Sequence, residues 1–246
     1  MAQFRMRIAG HTALVASLFE STPHYFRPYL TQDTPEFSIT VTWADVEYER
    51  NFCAEEARLE GFRFRNFPDP YLERAAIQRK FADYLFPYDC FLFHGSAVSV
   101  DAEGYLFTAR SGTGKSTHTR LWREQFGSRA VMINDDRPFL QLTAAGVLVH
   151  GSPWSGKHGL DSNICVPLKG ICLLERGTEN RIRPMQFQEA LPMLHKQSNP
   201  PSDPALQQKL NAMVEILGRS VPLWHMTCTK EPGAALVSYR AMSHRV

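Results

Sequence analysis

A glycine-rich stretch at residues 109–117, with the sequence ARSGTGKST, combines residue types and a spacing that suit the binding of phosphate groups. Gly112 and Gly114 allow the backbone to turn tightly, so that successive N–H groups can point at phosphate oxygens. Lys115 supplies positive charge for the outer phosphates, and the Ser116 hydroxyl can ligate a Mg²⁺ ion that bridges them. The stretch therefore predicts a site for a nucleotide.

A strand before this stretch and a helix after it are the elements that a phosphate-binding loop needs, and the sequence predicts both. Residues 104–108 predict a buried strand, and residues 116–126 predict a helix that ends at Gly127. A helix in this place directs the positive end of its dipole at the phosphates. A plain turn in front of a surface helix is the alternative interpretation. The residues predicted to contact the nucleotide are Ser111, Gly112, Thr113, Gly114, Lys115, Ser116 and Thr117.

Two neighbouring carboxylates, Asp135 and Asp136, follow the next predicted strand at residues 129–134. In open α/β sheets, ligands bind at the carboxyl ends of the strands. One carboxylate can hold Mg²⁺, and the other can orient or deprotonate an attacking hydroxyl. A turn or a helix cap is the alternative, since aspartate favours such places. The position after the loop, one helix and one strand favours the functional interpretation.

An additional strand precedes the glycine-rich loop and carries His94. Residues 90–100 predict this strand, and residues 101–104 predict the turn that joins it in a hairpin to the strand before the loop. Most glycine-rich phosphate loops follow a single bare strand. The extra strand therefore distinguishes this arrangement from most such loops.

A second loop, residues 151–159 with the sequence GSPWSGKHG, follows a predicted hairpin at residues 139–143 and 147–150. Lys157 in this loop could reach the transferring phosphoryl group, or the loop could cover an acceptor. A flexible surface loop is the alternative. Because the loop follows strands that are expected to lie beside the phosphate site, the functional interpretation is favoured.

The rest of the second half predicts a continued α/β pattern. Strands are predicted at residues 168–175 and 221–228, and helices at residues 187–196, 203–217 and 232–244. Asp203 is predicted to cap its helix, with Pro204 in the first position and Gly218 beyond the end. His195, His225 and His244 show no pattern that indicates a partner, and we expect them to be structural or surface residues.

Residues 1–68 predict a β-rich region, with strands at residues 3–8, 37–42 and 62–67 and a short helix plus turns within residues 11–35. Residues 70–86 predict a helix in a linking segment, residues 69–89, and residues 90–246 form the predicted main domain. The β-rich region is expected to be a small sheet packed on the main domain. A surface for recognising a partner is the alternative.

Composition excludes several classes of function. The net charge of the 246 residues is +2 and the basic residues are scattered, so a nucleic-acid partner is not expected. No apolar run is long enough to span a membrane, and the N-terminus lacks the apolar core of a signal peptide. The five cysteines form no CxxC pair, which favours free thiols in a reducing, cytoplasmic environment.

The order of these motifs resembles the catalytic domain of HPr kinase/phosphorylase, whose P-loop core is shared with phosphoenolpyruvate carboxykinases. The residues that carry the resemblance are His94-Gly95, the hairpin into SGTGKS, and Asp135-Asp136-Arg137. The resemblance covers residues 90–246. It implies an α/β fold, a P-loop core with a mixed sheet and flanking helices, preceded here by the β-rich region.

The resemblance also implies an ATP-dependent, Mg²⁺-requiring kinase acting on a Ser-type hydroxyl of a protein, a peptide or a small molecule. Lys115 and Ser116 would handle the phosphates and Mg²⁺. Asp135 would be the base and Asp136 the metal-side carboxylate, with His94 near the phosphoryl group and Lys157 on the facing loop. The sequence does not orient the two aspartates, so their exchange stays open.

Other interpretations remain at this point. The chain could be a nucleotide-gated binding module in a peptide-modification or regulatory system, without significant phosphoryl transfer. A small carboxykinase-like enzyme is disfavoured, because the chain is short for a separate carboxylate-substrate domain. Three further questions stay open. The phosphoryl donor could be ATP, GTP or pyrophosphate, a reverse phosphorolysis could occur, and the chain could associate into homo-oligomers.

Overall fold

The computed structural model describes residues 1–61, 63 and 65–243. The chain divides into two units, Met1–Leu85 and Phe86–Val246. The first unit contains a three-stranded sheet in the order β1-β2-β3, with β1 and β2 antiparallel and β2 and β3 parallel. Its elements are β1 (Ala2–Ile8), β2 (His11–Ser17), α1 (Thr22–Tyr25), β3 (Phe37–Thr40), α2 (Trp43–Glu60) and α3 (Asp69–Leu85).

The predictions for this unit are confirmed only in part. Strands β1 and β3 match the predicted strands, but β2 lies where a short helix and turns were expected. Residues 63 and 65–67 belong to no strand, against the strand predicted at residues 62–67, and Phe62 and Phe64 lie outside the described residues. The predicted helix is confirmed as α3, which buries Leu72, Ala76, Phe81 and Leu85.

Helix α2 was not predicted, because residues 43–60 were taken as part of a β-rich region. Its start is fixed by Thr42, whose hydroxyl accepts from the N–H of Asp45 (3.4 Å) while the Asp45 carboxylate accepts from the N–H of Thr42 (2.9 Å). Gly61 ends it in the left-handed conformation. Such a capping box is a signal of helix initiation that a search for two-residue periodicity does not detect.

The second unit is a mixed α/β structure in which nine strands, among the described residues, form one mixed sheet flanked by helices. The strands are β4 (Cys90–Leu92), β5 (Ser96–Val100), β6 (Glu103–Thr108), β7 (Ala130–Asn134), β8 (Phe139–Thr143), β9 (Gly146–His150), β10 (Cys165–Arg176), β11 (Arg181–Pro184) and β12 (Leu223–Cys228). The helices are α4 (Lys115–Phe126), α5 (Phe187–Gln197), α6 (Gln207–Ser220) and α7 (Gly233–Ser243).

The strand order places the ends of four strands at one edge of the sheet. The order runs β4-β8-β9-β10-β6-β5-β7, and β12 pairs with both β10 and β11. Strand β10 is parallel to β6 and β12, and β5 is antiparallel to both β6 and β7. The carboxyl ends of β7, β6, β10 and β12 therefore meet at the same edge, where ligands of such sheets bind.

Apolar cores cover both faces of this sheet. On one face, Leu121 and Trp122 of α4 and Ala235 of α7 pack against residues such as Phe107. On the other face, α5 and α6 pack against residues such as Leu106. Because neighbouring residues of β6 enter opposite cores, the strand is held from both sides up to the point where the glycine-rich loop begins.

Two predictions about this unit are wrong in detail. The strand predicted at residues 90–100 is split into β4 and β5, because Phe93 donates to the Pro138 carbonyl (3.0 Å) and Gly95 to the Asp136 carbonyl (3.0 Å). The segment before His94 therefore pairs with β8, and the segment after it pairs with β6 and β7. Gly218 does not end its helix but lies inside α6, where an added Cβ would be 2.7 Å from the Phe187 ring.

The other predicted elements of this unit are confirmed with small shifts of their ends, and β11 was not predicted. Asp203 does cap a helical turn, since its carboxylate accepts from the N–H of Ala205 (2.9 Å), but this first turn is a 3₁₀ helix. The predicted last helix is α7, and the part of that prediction that falls on His244 lies outside the described residues. Among the described residues, no helix combines the length and apolar character needed to cross a bilayer.

Candidate functional site

The glycine-rich loop connects the carboxyl end of β6 to the first residue of α4. Gly112 (φ 76°) and Gly114 (φ 126°) have backbone angles that side-chain-bearing residues rarely adopt, which explains the two glycines. Lys115 folds back so that its Nζ donates to the Ala109 carbonyl (3.2 Å). The residues predicted to contact a nucleotide, 111–117, therefore lie in the loop and the first turn of α4.

Burial lowers the pKa of the Lys115 ammonium, and the nearby carboxylates of Asp136 and Asp135 oppose this effect. The lysine thus lies within electrostatic reach of both aspartates. This brings together residues from two motifs that are about twenty positions apart in the sequence. A partly buried cation between a glycine-rich loop and two carboxylates is suited to hold a phosphate group.

Arg176, at the end of β10, contacts the same loop from the neighbouring strand. Its guanidinium donates to the carbonyl oxygens of Thr113 (3.1 Å) and Gly112. The C=O and N–H groups of a trans peptide unit point in opposite directions, so the bond to the Thr113 carbonyl helps to direct the N–H of Gly114 to the other side. Arg176 was not among the predicted site residues, because only the pairing of β10 with β6 brings it to the loop.

Asp135 follows β7 and is buried, with 6% of its surface exposed. The Ser96 hydroxyl of β5 donates to its Oδ1 (2.6 Å), and the same hydroxyl is 2.8 Å from the Thr119 hydroxyl. Thr119 belongs to α4, one turn after Lys115. The carboxylate is therefore linked through Ser96 to Thr119 of the helix that also carries Ser116.

Asp136 lies on the more open side of the pair and faces His94. The His94 Nε2 atom is 3.5 Å from the Asp136 Oδ1 atom. Burial raises the pKa of the Asp136 carboxyl, and the charges of Arg137 and Lys115 oppose this effect. Burial, with Arg137 and Lys115 nearby, lowers the pKa of His94 to about 3, so the imidazole is neutral at neutral pH.

Asn134, the last residue of β7, sets the turn that presents the two aspartates. Its side-chain oxygen accepts from the N–H groups of Asp136 (2.7 Å) and Arg137 (2.6 Å), and its Nδ2 donates to the Ser152 carbonyl (2.7 Å). Sequence analysis did not single out this residue. The signal was present, because asparagine commonly bonds to the backbone two residues further on.

The loop 151–159 lies next to Asp136. Gly156 is so close to Asp136 that an added Cβ would be 3.2 Å from the Cβ of the aspartate. Trp154 is buried, which anchors the loop, and Lys157 is exposed in a short 3₁₀ turn. Lys157 therefore follows the residue that contacts Asp136, and its proposed contact with a phosphoryl group stays a prediction.

Gly151 anchors the first residue of this loop against the backbone near the end of β7. Its N–H donates to the Ile164 carbonyl (2.9 Å), and an added Cβ would lie 1.8 Å from the Ser162 carbonyl oxygen and 2.9 Å from that of Ile133. Main-chain atoms cannot move aside as a flexible side chain can. Only glycine fits this position.

We expect Gly151→Ala to destabilise the second unit by about 3 kcal/mol, because the new methyl group forces the backbone apart. The measurement is the urea midpoint followed by tryptophan fluorescence, since Trp122, Trp154 and Trp224 belong to this unit. Gly233→Ala is the matched control, because nothing lies within 4 Å of the added Cβ. Equal midpoints for the Gly151→Ala variant and the unmodified chain would contradict this packing.

The donor set at the site fits a magnesium ion bound together with phosphate. Within the described residues, no group of three or more His, Cys, Asp or Glu side chains could hold a metal ion by itself. Mg²⁺ is commonly bound by one or two carboxylates plus substrate phosphates and water. Asp135 fits this pattern, because Ser96 occupies one of its oxygens and a carboxylate can accept several further contacts.

Comparison with known proteins gives little further information. No family model matches the chain, and no curated protein matches it. Among solved structures, the chain is similar to the Hpr(Ser) kinase/phosphatase from Coxiella burnetii, with 12% sequence identity and a TM-score of 0.38. The similarity covers 61% of this chain and 96% of that one. A likeness this distant does not bear on activity, so the functional argument depends on the site itself.

Proposed function

We propose that the second unit is an ATP-dependent kinase with a P-loop core of the HPr kinase type. It transfers the terminal phosphoryl group to a hydroxyl of a protein, a peptide or a small molecule. The observation that supports this most is the convergence of His94, Lys115, Asp135 and Asp136 beside the glycine-rich loop. A site that only binds a nucleotide does not need a second carboxylate next to a neutral imidazole.

The geometry supports an exchange of the roles that the resemblance implies, with Asp135 rather than Asp136 beside the metal. Asp135 is buried, accepts a hydrogen bond from Ser96, and is linked through Ser96 to Thr119 of the helix that carries Ser116, which suits a fixed ligand of Mg²⁺. Asp136 is more open and has a raised pKa, which suits a base that must meet an incoming hydroxyl. We therefore propose Asp135 as the metal-side carboxylate and Asp136 as the base.

Each remaining residue has a role in this proposal. Lys115 neutralises charge that develops on the phosphoryl oxygens, and the loop N–H groups hold the inner phosphates. Ser116 and Asp135 would hold Mg²⁺, which would supply further positive charge when bound. His94 is neutral, so its Nε2 atom, 3.5 Å from Asp136 Oδ1, lies beside the carboxylate without forming a strong ion pair. The loop 151–159 lies against Asp136 at Gly156 and would border the approach of the acceptor hydroxyl.

The proposal is tested by transfer of a label from γ-labelled ATP. The whole chain, Mg²⁺ and labelled ATP are incubated with fractionated protein, peptide and small-metabolite pools from a cell extract. We expect an acid-stable phosphoester in one of these pools, formed with the unmodified chain and absent with Lys115→Ala. Nucleotide binding without transfer into any pool would contradict a kinase and support a nucleotide-gated binding module.

A further inference from the structure

The proposed function gives no role to Arg137, the residue that follows the two aspartates. Burial lowers the pKa of His94 and raises that of Asp136, and the charge of Arg137 has the next largest effect at both residues. The charge of Lys115 follows with a smaller effect. Arg137 is therefore a second cation of the site, and it acts on the proposed base more strongly than the loop lysine does.

The backbone and the side chain of Arg137 are both held in place. Its N–H donates to the Asn134 side-chain oxygen (2.6 Å), and its carbonyl oxygen accepts from the Ser152 hydroxyl (2.6 Å). The guanidinium donates to the Oδ1 atom of Asn199. The N–H of Asn199 in turn donates to the Leu92 carbonyl (3.0 Å) at the end of β4. The position of the positive charge is therefore fixed by the surrounding elements.

The guanidinium of Arg137 is available to an incoming anion. Among the described residues it forms no ion pair with a carboxylate, and its hydrogen bond goes to the neutral side chain of Asn199. An arginine side chain carries five N–H donors and stays charged in proteins. The residue is partly buried. A partly buried cation without a partner of opposite charge is suited to bind a carboxylate or a phosphate group.

The hydrogen bonds of Arg137 do not involve the glycine-rich loop. Lys115 and Arg176 donate to carbonyl oxygens of the loop, whereas Arg137 bonds to Asn199, which follows α5. The phosphates of the donor are expected on the loop. An acceptor hydroxyl must instead reach Asp136, which is next to Arg137 in the chain. The groups that flank this hydroxyl therefore come within reach of the guanidinium.

We infer that Arg137 binds a carboxylate or phosphate group of the acceptor, close to the hydroxyl that receives the phosphoryl group. The inference rests on the proposed function and deepens it, since it restricts the acceptors to molecules with a negative charge near the reacting hydroxyl. The fork of the guanidinium matches the paired oxygens of either group. This contact also orients the acceptor, because a molecule held at its anionic group presents its hydroxyl to Asp136 in a limited range of directions.

The test uses the pools of the γ-labelled ATP assay in three forms. One form is untreated, and one is treated with a phosphatase that is then removed. The third is amidated with methylamine and a carbodiimide, which neutralises carboxylates and leaves hydroxyl groups unchanged. We expect the unmodified chain to label the untreated form and to lose transfer to a treated one. Loss after phosphatase identifies a phosphate, and loss only after amidation identifies a carboxylate.

Three variants connect this result to the arginine. Arg137→Gln should raise the amount of untreated pool needed for half-maximal transfer on the order of tenfold or more, the effect of losing a hydrogen bond to a charged group. Its Kd for the β,γ-imido analogue of ATP should stay unchanged, which also shows that the variant is folded. Asn199→Ala keeps the charge and should have a smaller effect. Arg181→Gln is the matched control, because Arg181 is exposed and bonds to Glu179 (2.8 Å) in the same unit.

Equal transfer to all three forms by the unmodified chain would overturn the inference and leave the proposed kinase intact. So would a loss of nucleotide affinity in Arg137→Gln without any change in its dependence on the pool, since Arg137 would then serve the donor phosphate. A treatment that lowers transfer by the unmodified chain and by Arg137→Gln to the same extent would also overturn it. Absence of transfer into every pool would contradict the proposed function itself, and this inference with it.

Discussion

Asp136→Asn is expected to lower kcat for phosphoryl transfer by roughly a hundredfold to ten-thousandfold while leaving nucleotide affinity nearly unchanged. The substitution keeps the shape of the side chain and removes its ability to accept the proton of the acceptor hydroxyl. It also leaves Asp135 and its bond from Ser96 in place. The measurement is kcat from label transfer together with the Kd of the imido analogue of ATP.

The effects of Asp135→Asn on affinity and kcat should be compared with those of Asp136→Asn. Asp135→Asn removes the proposed ligand of Mg²⁺, so the Mg²⁺-dependent part of nucleotide affinity should fall together with kcat. The opposite pattern, in which Asp135→Asn loses only turnover and Asp136→Asn loses Mg²⁺-dependent binding, would return the aspartates to the roles that the family resemblance implies.

The pH dependence of transfer gives an independent check on Asp136. The base must be ionised, so the rate falls as the pH drops through its pKa, and burial raises that pKa above the ordinary value of 3.8. The acidic limb of kcat/KM should therefore lie above the range of an exposed aspartate and should disappear in Asp136→Asn. His94, with a pKa of about 3, stays neutral across this range and adds no limb near neutral pH.

Lys115→Ala is expected to lower kcat by roughly a hundredfold to a thousandfold and to weaken nucleotide binding as well. The ammonium group lies between the loop and both carboxylates, so its removal leaves the terminal phosphate and the two aspartates in mutual repulsion. The effect on affinity separates this variant from Asp136→Asn. Calorimetry and label transfer on the same preparation measure both quantities.

Lys169→Ala is the matched control for the loss of a lysine. Lys169 belongs to the same unit and forms a partly exposed ion pair with Glu103 (2.8 Å), a kind of interaction that contributes only about 0–1 kcal/mol. Its removal should leave transfer and affinity near those of the unmodified chain. If Lys115→Ala behaves like this control, the loop does not hold the reacting phosphate.

The part of the site that could be predicted from the sequence is the part encoded locally. Strand β6, the glycine-rich loop and α4 follow one another without interruption, so residue types and spacing were sufficient to place Lys115. Asp135 and Asp136 were singled out because they are the first two residues after the next strand. Here one short stretch determines both the local structure and the position of the side chain.

The residues that were missed depend on pairing between distant strands. Ser96 and Arg176 lie at the site because β5 and β10 pair with β6, and no pattern near either residue indicates this. Helix α2 was missed for another reason. Its start is marked by the capping box at Thr42, but few of its residues are buried, so the apolar periodicity that usually reveals a helix is weak.

The most direct test of the account is a crystal structure of the chain with Mg²⁺ and the β,γ-imido analogue of ATP. We predict the phosphates on the loop 109–114, the terminal phosphate at Lys115, and the metal in contact with Ser116 and Asp135. Asp136 should face the terminal phosphate from the open side. A nucleotide bound elsewhere on the chain, or aspartates turned away from the phosphates, would contradict the account.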